Sequence, residues 1–197
     1  MAREIELKIP LTQTQYGEIE NYIYGRKPHS ELTFTDAKKL FKQDEYFSRF
    51  TTRQERINSN EPKVIRIRTE ECDGKFQAYF TIKNKQLENG IEVNQEQETF
   101  VENPEVLRNM FAQTGFIRWF TKEKKAVSCY CRMQGSQKEY HLELEQVNGL
   151  LYVEIEYTKD DEMPENVQKE LKLLVEKLGL DSKKRDPRSW VEILNEA

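Results

Sequence analysis

Charged and apolar residues alternate strictly in several short segments of the chain, and this pattern constrains the fold more than any other feature. Residues two apart on a β-strand share a face, so such alternation predicts strands with one charged and one apolar face. A further strand is indicated at residues 44–47. The alternating segments are residues 4–9, 64–68, 76–83, 122–127, 141–147 and 152–157.

The charged faces of these strands carry like charges side by side. In a sandwich they would meet solvent, whereas in a closed barrel they would line the interior and amphipathic helices would cover the apolar outside. Surface strands usually mix the signs of charge, which favours the barrel, but the residue pattern alone leaves both arrangements open. The like-charged pairs are Glu4 with Glu6, Arg66 with Arg68, and Glu154 with Glu156.

Apolar stripes and end signals predict helices between and after the strands. Asn103 can cap a helix that has Pro104 at its first position. Ser189 and Glu192 form a capping box for a short last helix. The predicted helices are residues 12–24, the segment from Asn103 to Gly115, residues 164–178, and the segment from Ser189.

The order of these elements predicts an α+β fold with a mainly antiparallel sheet. Polar residues 48–62 and residues 84–90 carry no clear period and are predicted to be loops. A chain of 197 residues is long enough for one substantial core,. We therefore expect a single domain over residues 1–197.

Charge and composition narrow the classes of function. The net charge is only -4, because 31 basic residues nearly balance 35 acidic ones. This balance argues against a general nucleic-acid surface or a polybasic membrane anchor, so any anion site must be local. No apolar run is long enough for a signal peptide or a membrane span, which predicts a cytoplasmic protein.

Few side chains are available for histidine or cysteine chemistry. The histidines are His29 and His141, and the odd number of cysteines, Cys72, Cys129 and Cys131, favours reduced thiols,. Carboxylates, lysines and arginines should therefore carry the chemistry. Acidic and basic strands that face one interior suit a polyanion bound with divalent cations, because carboxylates bind hard cations while guanidinium and ammonium groups bind phosphate oxygens.

An ordered set of motifs supports this interpretation. The chain begins with a Glu-x-Glu-x-Lys motif at Glu4, Glu6 and Lys8, and it ends with Pro187-Arg188-Ser189-Trp190. Through these motifs the chain resembles the CYTH-type triphosphate tunnel metalloenzymes, and among them the class IV adenylyl cyclases. Between the two motifs lie Gln43 to Phe47, Ile65 to Arg68, Thr81 to Lys83, Glu96 to Glu98, Glu123-Lys124, Gly149-Leu150 and Val153 to Glu156.

The resemblance implies an eight-stranded antiparallel closed barrel, a triphosphate tunnel with a polar interior and with helices packed on its outside. It implies Mg²⁺ or Mn²⁺ as cofactor, with two ions, ATP or another triphosphate as substrate, a homodimer, and neither nucleic acid nor membrane as partner. Catalysis would depend on Glu4, Glu6, Lys8, Lys83 and Lys124. The implied metal ligands are Glu4, Glu6, Glu145, Glu154 and Glu156; the implied phosphate ligands are Lys8, Arg66, Arg68, Lys83 and Lys124; and Glu96 and Glu98 would line the tunnel.

The chain departs from the family pattern at a few positions. Asn94 and Ala126 stand where the family often has arginine, and Lys122 or Lys125 could compensate for the second change. Gly149-Leu150-Leu151 replaces the usual Gly-Leu-Gly. The sequence assigns no role to Asp44 or Tyr46. Trp190 and Leu194 are expected to dock the last helix on the barrel. His141 is expected to be an ordinary strand residue.

Three functions remain open from the sequence. In an adenylyl cyclase, the 3′-hydroxyl of ATP attacks the α-phosphorus and releases pyrophosphate, giving cyclic AMP. In a triphosphatase, water attacks tripolyphosphate, thiamine triphosphate or a nucleotide. A non-catalytic polyphosphate-binding module is the third possibility, suggested by the missing basic residues at Asn94 and Ala126. The resemblance favours the cyclase.

Overall fold

The computed structural model describes residues 2–62, 64–88, 91–159 and 161–196. The strands are β1 (Ala2–Pro10), β2 (Leu32–Ser48), β3 (Val64–Cys72), β4 (Lys75–Glu88), β5 (Ile91–Phe100), β6 (Ile117–Met133), β7 (Tyr140–Val147) and β8 (Leu150–Tyr157). The helices are α1 (Gln13–Ile23), α2 (Arg53–Asn58), α3 (Pro104–Gln113), α4 (Pro164–Lys177) and α5 (Trp190–Glu196), with a 3₁₀ turn at Ser182–Lys184.

The strands form one closed antiparallel barrel in the order β1-β5-β4-β3-β2-β6-β7-β8. The first strand closes it, because Glu4 lies opposite Asn94 on β5 and Glu6 lies opposite Glu156 on β8. The predicted α+β fold with an eight-stranded closed barrel, a polar interior and external helices is confirmed. The single domain over residues 1–197 stays a prediction.

Tight turns fix the register of two hairpins around the site. Asn148 and Gly149 join β7 to β8 with φ of 49° and 83°, and Asp73 and Gly74 join β3 to β4 with φ of 51° and 74°. Two consecutive residues with positive φ form the type I′ turn, whose twist matches that of a hairpin, and Asn-Gly and Asp-Gly are its preferred sequences. The Asn-Gly turn sets Glu143 opposite Glu154,.

The apolar faces of the strands point outward and are covered by helices. The largest buried cluster joins strand residues such as Leu7, Val153 and Ile155 to Leu171 and Leu174 of α4. On another side, Phe111 of α3 packs with Phe47, Ile65 and Ile67. The hydrophobic core thus lies between the barrel and its helices, which leaves the barrel interior to the charged faces.

The predicted boundaries needed correction in several places. The strand β5 was not among the predicted alternating segments, and β2 and β6 extend well beyond residues 44–47 and 122–127. Residues 48–62 contain the helix α2, which begins with a capping box between Thr52 and Glu55. This helix was not predicted, because its sequence is polar and has no apolar stripe. The predicted loop at 84–90 was wrong for residues 84–88, because β4 continues to Glu88, while Asn89 and Gly90 lie outside the described residues. Within the described ranges, no helix is both long and apolar enough to cross a membrane.

Asp44 shows how the barrel interior accommodates charge. Its side chain is fully buried and accepts hydrogen bonds from Arg68 Nε at 2.7 Å and Arg68 Nη2 at 3.1 Å, with Lys122 Nζ at 3.1 Å. Burial alone would raise the pKa of Asp44, but the charges of Arg68, Lys122 and Arg66 outweigh it and hold that pKa well below its ordinary value,. The carboxylate therefore stays ionised inside the barrel.

We predict that Asp44→Asn lowers the free energy of unfolding by about 3 kcal/mol near neutral pH, because it leaves the buried Lys122 without its carboxylate partner and Arg68 with the more distant Glu70, 3.8 Å away,. The pKa of Asp44 is depressed in the folded state. The stability that this carboxylate contributes is therefore fully present above pH 3.8, its ordinary pKa, and is lost as the pH falls through the folded-state pKa,. Urea unfolding from pH 2 to 7 measures this difference between wild type and variant.

Glu123→Gln is the matched control for this measurement. Glu123 is an exposed carboxylate on β6 that accepts a hydrogen bond from Gln43 at 3.2 Å. Its loss should change the free energy of unfolding by less than about 0.5 kcal/mol. Equal effects of the two substitutions, or a pH-independent effect of Asp44→Asn, would contradict the buried ionic role of Asp44.

Candidate active site

The barrel interior contains two adjoining cavities. The wide cavity, of about 660 Å³, lies at the end of the barrel where α2 and α5 are found, and the narrow cavity, of about 210 Å³, lies toward the other end. The two have several lining residues in common, so they form one channel, which we call the tunnel. The shared lining residues are Glu6, Arg66, Arg68, Lys83, Lys124 and Glu154.

One group of carboxylates, which we call the first triad, comprises Glu4, Glu6 and Glu156, with one oxygen from each within 4.8 Å of the others. Lys83 Nζ donates to Glu4 at 2.9 Å and to Glu6 at 3.4 Å. Burial raises the pKa of Glu4 to about 8, with Lys83 opposing the shift and Glu156 adding to it. Burial and the neighbouring carboxylates therefore oppose ionisation of Glu4,.

A second triad comprises Glu143, Glu145 and Glu154, whose oxygens also approach within 4.8 Å. Lys124 Nζ lies 2.6 Å from Glu143 and also contacts Glu145. Burial and the nearby charge of Glu154 raise the pKa of Glu145 well above its ordinary value. Burial opposes ionisation of Glu154 too, but Lys124 and Lys8 hold its pKa at about 2. The environment of the second triad therefore displaces the pKa values of Glu145 and Glu154 in opposite directions.

The basic side chains of the tunnel stand among these carboxylates. Arg66 Nη2 lies 3.6 Å from Glu96 and 3.3 Å from Glu98, and Lys83 Nζ lies 3.4 Å from Glu96. Lys8 Nζ lies 3.9 Å from Glu154. Each cation thus has a carboxylate partner that a bound anion could replace.

Some buried polar atoms in the tunnel lining or directly behind it have no hydrogen-bond partner. They are Nε of Arg66, Nδ2 of Asn94 and Oε2 of Glu145. A buried polar group without a partner costs free energy, so such atoms suggest a site that a ligand completes. The two nitrogen donors could bind a phosphate group, and the carboxylate oxygen could bind a cation.

The C-terminal segment closes part of the wide cavity. The indole Nε1 of Trp190 donates to Glu154 at 3.1 Å, and its ring lies 5.5 Å from Lys8 Nζ and 5.4 Å from Lys122 Nζ. Trp190 also packs against Tyr152 with ring centroids 4.9 Å apart. The expected docking role of Trp190 is accurate but incomplete, because the same side chain contacts the second triad.

His141 takes part in a polar chain at the narrow cavity. Its Nδ1 lies 2.6 Å from Glu156, and its Nε2 lies 2.8 Å from the hydroxyl of Ser128. Burial would lower the pKa of His141, but the hydrogen bond and charge of Glu156 outweigh it and raise that pKa. His141 therefore supports a carboxylate of the first triad.

The structure brings the sequence-predicted residues together around the tunnel. The five expected metal ligands all belong to the two triads, and the expected phosphate ligands all line the wide cavity. Glu96 and Glu98 line the narrow cavity. Of the two lysines considered as substitutes near Ala126, Lys122 is buried in the lining and Lys125 is exposed. The roles of these residues remain predictions.

Sequence reasoning missed several residues of the lining. Lys42 and Glu143 are buried and paired with each other, and Asp44 binds Arg68. The period-two pattern could have identified Lys42 and Asp44, because residues two apart on β2 share a face of the strand,. Trp119 carries no such signal, because a register shift between β2 and β6 lies beside it.

Comparisons with known proteins agree with this geometry. The model of the CYTH domain matches residues 2–190. The PH1819 protein of Pyrococcus horikoshii OT3 shares the fold with a TM-score of 0.75 and 21% identity, covering 98% of each chain. A Vibrio parahaemolyticus protein described as a candidate adenylate cyclase gives a TM-score of 0.65 and 17% identity, covering 98% of this chain and 97% of its own.

A conserved hypothetical protein of Pyrococcus furiosus gives a TM-score of 0.66 and 22% identity, covering 96% of this chain and 98% of its own. No curated protein matches the sequence. At these identities the solved structures support the fold, whereas the domain match spans nearly the whole chain. The chain therefore belongs to the CYTH family.

Proposed function

We propose that the chain is a metal-dependent adenylyl cyclase that converts ATP to cyclic AMP and pyrophosphate inside the tunnel. The observation that carries this proposal is the pair of carboxylate triads interleaved with buried lysines and arginines. CYTH proteins bind triphosphates, generally depend on metal ions and are often cyclases or triphosphatases. The choice of adenylyl cyclase among these activities depends on where the two triads lie along the tunnel.

The triads occupy different levels of the barrel. On neighbouring strands, Glu6 and His141 both lie opposite Glu156, and Lys8 and Glu143 both lie opposite Glu154. The first triad therefore lies on the side of the narrow cavity, and the second lies one step closer to the wide cavity. A triphosphate chain along the axis would meet one triad near its terminal phosphates and the other near its α-phosphate.

The residues of both triads fit divalent cations of the Mg²⁺ type. All of the donors are carboxylate oxygens, which hard cations prefer, and Oε2 of Glu145 is buried without a partner,. Glu4, Glu6 and Glu156 would hold one ion, and Glu145 and Glu154 would hold the second. Such ions, when bound, lower the pKa of an attacking hydroxyl and neutralise charge on phosphate oxygens.

The cations of the tunnel would bind and orient the triphosphate. Lys83, Arg66 and Arg68 would hold its terminal phosphates, while Lys8 and Lys124 beside Glu154 would hold the α-phosphate. Binding would exchange each buried carboxylate–cation pair for a cation–phosphate contact, which keeps every charge compensated. These preorganised cations would stabilise the charge that develops on the leaving pyrophosphate.

The proposed reaction breaks one bond and forms one. The ribose 3′-oxygen bonds to the α-phosphorus, the bond from that phosphorus to the β-bridging oxygen breaks, and pyrophosphate leaves. A carboxylate of the second triad or solvent accepts the proton of the 3′-hydroxyl. By strand register the second triad lies one step closer than the first to the wide cavity, which is the larger space for a nucleoside among the described residues, and this supports attack at the α-phosphorus.

A triphosphatase is the second candidate. The observation that favours it is the narrow cavity, which is lined by carboxylates of both triads: Glu4, Glu6 and Glu156 of the first, and Glu143 and Glu154 of the second. A terminal phosphate would lie there, and water could attack its phosphorus while the same cations stabilise the leaving group. The non-catalytic alternative, suggested by Asn94 and Ala126, is weakened by Lys122, which adds a buried cation to the lining.

Product analysis separates these functions. We expect purified protein with ATP and Mn²⁺ or Mg²⁺ to form cyclic AMP and pyrophosphate in equal amounts, measured by chromatography, while tripolyphosphate remains largely intact in parallel reactions. Orthophosphate release from either substrate without cyclic AMP would establish the triphosphatase instead. Binding of both without turnover would establish the non-catalytic module.

We predict that the double substitution Glu4→Gln and Glu6→Gln lowers turnover at least about 100-fold, because both carboxylates of β1 leave the first triad. Calorimetric titration should show weaker Mn²⁺ binding, and the melting temperature should stay within a few degrees. Glu123→Gln, which removes an exposed carboxylate outside the tunnel, is the control and should retain wild-type turnover. Full activity of the double variant would refute the metal assignment.

A further inference from the structure

We propose that the wide cavity binds the aromatic base of a nucleoside triphosphate and that Trp119 and Arg56 form its stacking surface. This inference rests on the proposed function, because it assumes that the triphosphate group lies in the tunnel. It adds a position for the base and two specificity-determining residues. The substrate would be a triphosphate that carries a planar ring, in preference to inorganic tripolyphosphate.

The two cavities differ in chemistry as well as size. The narrow cavity is lined by charged side chains and His141. The wide cavity adds aromatic and aliphatic groups, including Tyr46, Ile57 and both tryptophans of the chain, Trp119 and Trp190. Its volume of about 660 Å³ lies within the range of small-molecule sites,. Only this end of the tunnel therefore offers apolar surface to an organic group among the described residues.

Trp119 and Arg56 form a planar stack at this end. The guanidinium carbon of Arg56 lies 3.8 Å from the centroid of the Trp119 ring. Arg56 Nη1 donates to the backbone oxygens of Phe50 at 3.3 Å and Thr51 at 3.2 Å, which fixes the guanidinium group. Indole rings and guanidinium planes are the groups on which bases stack in nucleotide-binding proteins.

Local structure holds this stack in position. Arg56 lies on α2, whose start is fixed by reciprocal hydrogen bonds between Thr52 and Glu55. Arg53 of the same helix bonds Glu192 of α5 at 3.0 Å, so α2 is tied to the other wall of the wide cavity. A preorganised stacking surface loses little side-chain entropy when a ligand binds.

The stack is connected to the phosphate-binding part of the tunnel. Residues that line the wide cavity include Lys8, Lys124 and Glu154, which surround the proposed position of the α-phosphate. Asn94 also lines this cavity, is 1% exposed, and has a side-chain nitrogen without a hydrogen-bond partner. A ligand that extends from the tunnel into the wide cavity could give this buried donor an acceptor.

Trp190 is less suited to be the stacking surface. Its ring already packs edge-on against Tyr152, lies over Lys8 and Lys122, and donates a hydrogen bond to Glu154. These contacts give Trp190 a positioning role toward the second triad. Trp119 lies against Arg56 and near the rings of Tyr46 and Phe120, with centroids 6.2 Å and 5.7 Å away, and none of these contacts involves a triad carboxylate.

The test compares two probes that neither hydrolysis nor cyclisation can consume. They are ATP and tripolyphosphate in which methylene groups replace both bridging oxygens of the triphosphate chain. Dissociation constants are measured by calorimetry with Mg²⁺ for wild type, Trp119→Ala, Trp119→Phe and Arg56→Ala. Phe76→Ala, at a position that is 70% exposed and lines neither cavity, is the matched aromatic control.

We expect Trp119→Ala to weaken binding of the ATP analogue roughly ten-fold or more, with the tripolyphosphate analogue unchanged within about two-fold. Trp119→Phe should recover most of the affinity, because phenyl rings also stack. Arg56→Ala should weaken binding of the ATP analogue selectively. Phe76→Ala should change the affinity for neither probe. Melting temperatures verify folding, and Trp119→Phe keeps the test valid if the alanine variant does not fold.

The outcomes distinguish this inference from the function on which it rests. If wild type binds the tripolyphosphate analogue but binds the ATP analogue no more tightly, or if Trp119→Ala weakens both probes equally, the stacking site is wrong and the triphosphate tunnel stands. If wild type binds neither probe with Mg²⁺, the proposed function fails and the inference fails with it.

Discussion

The rest of the structure depends on the pairing of opposite charges inside the barrel. A buried charge is costly unless another charge compensates it, and Asp44 meets that condition with Arg68 and Lys122,. Lys124 likewise compensates Glu143 and Glu145. The apolar faces must then point outward, so the core lies under the helices and the interior stays polar. Fold and site are therefore two consequences of the same alternating strands.

This arrangement explains how a ligand with charges of both signs could be accommodated at little cost. The carboxylates and cations already pair with one another, so a triphosphate with its metal ions would bring charges of both signs that could exchange partners with them inside the tunnel. The raised pKa of Glu4, about 8, belongs to the same balance, because burial and repulsion from Glu156 oppose its ionisation within the first triad. A tunnel of this kind can be stable when empty and specific for a metal-complexed polyanion.

The sequence predicted the parts of this molecule that repeat with period two. Alternation predicts that Glu4 shares a strand face with Glu6, and that Glu154 shares one with Glu156. The resemblance to the family then assigned these residues to metal sites. Long-range register could not be predicted this way, because alternation fixes only which face a residue occupies. The contact of Lys42 with Glu143 depends on how β2, β6 and β7 pair, and the alternation within each strand does not set that pairing.

Features outside the alternating pattern were the hardest to predict, and they distinguish the two ends of the tunnel. α2 has a polar sequence and no apolar stripe, yet it supplies Arg56 to the wide cavity. Trp119 lies beside an irregularity in the pairing of β2 with β6, so strand parity does not predict that it reaches the same cavity. The regular strands thus build a charged interior common to any triphosphate, whereas the irregular segments add the apolar surface. Selectivity among triphosphates should therefore depend on the parts of the chain where the regular pattern ends.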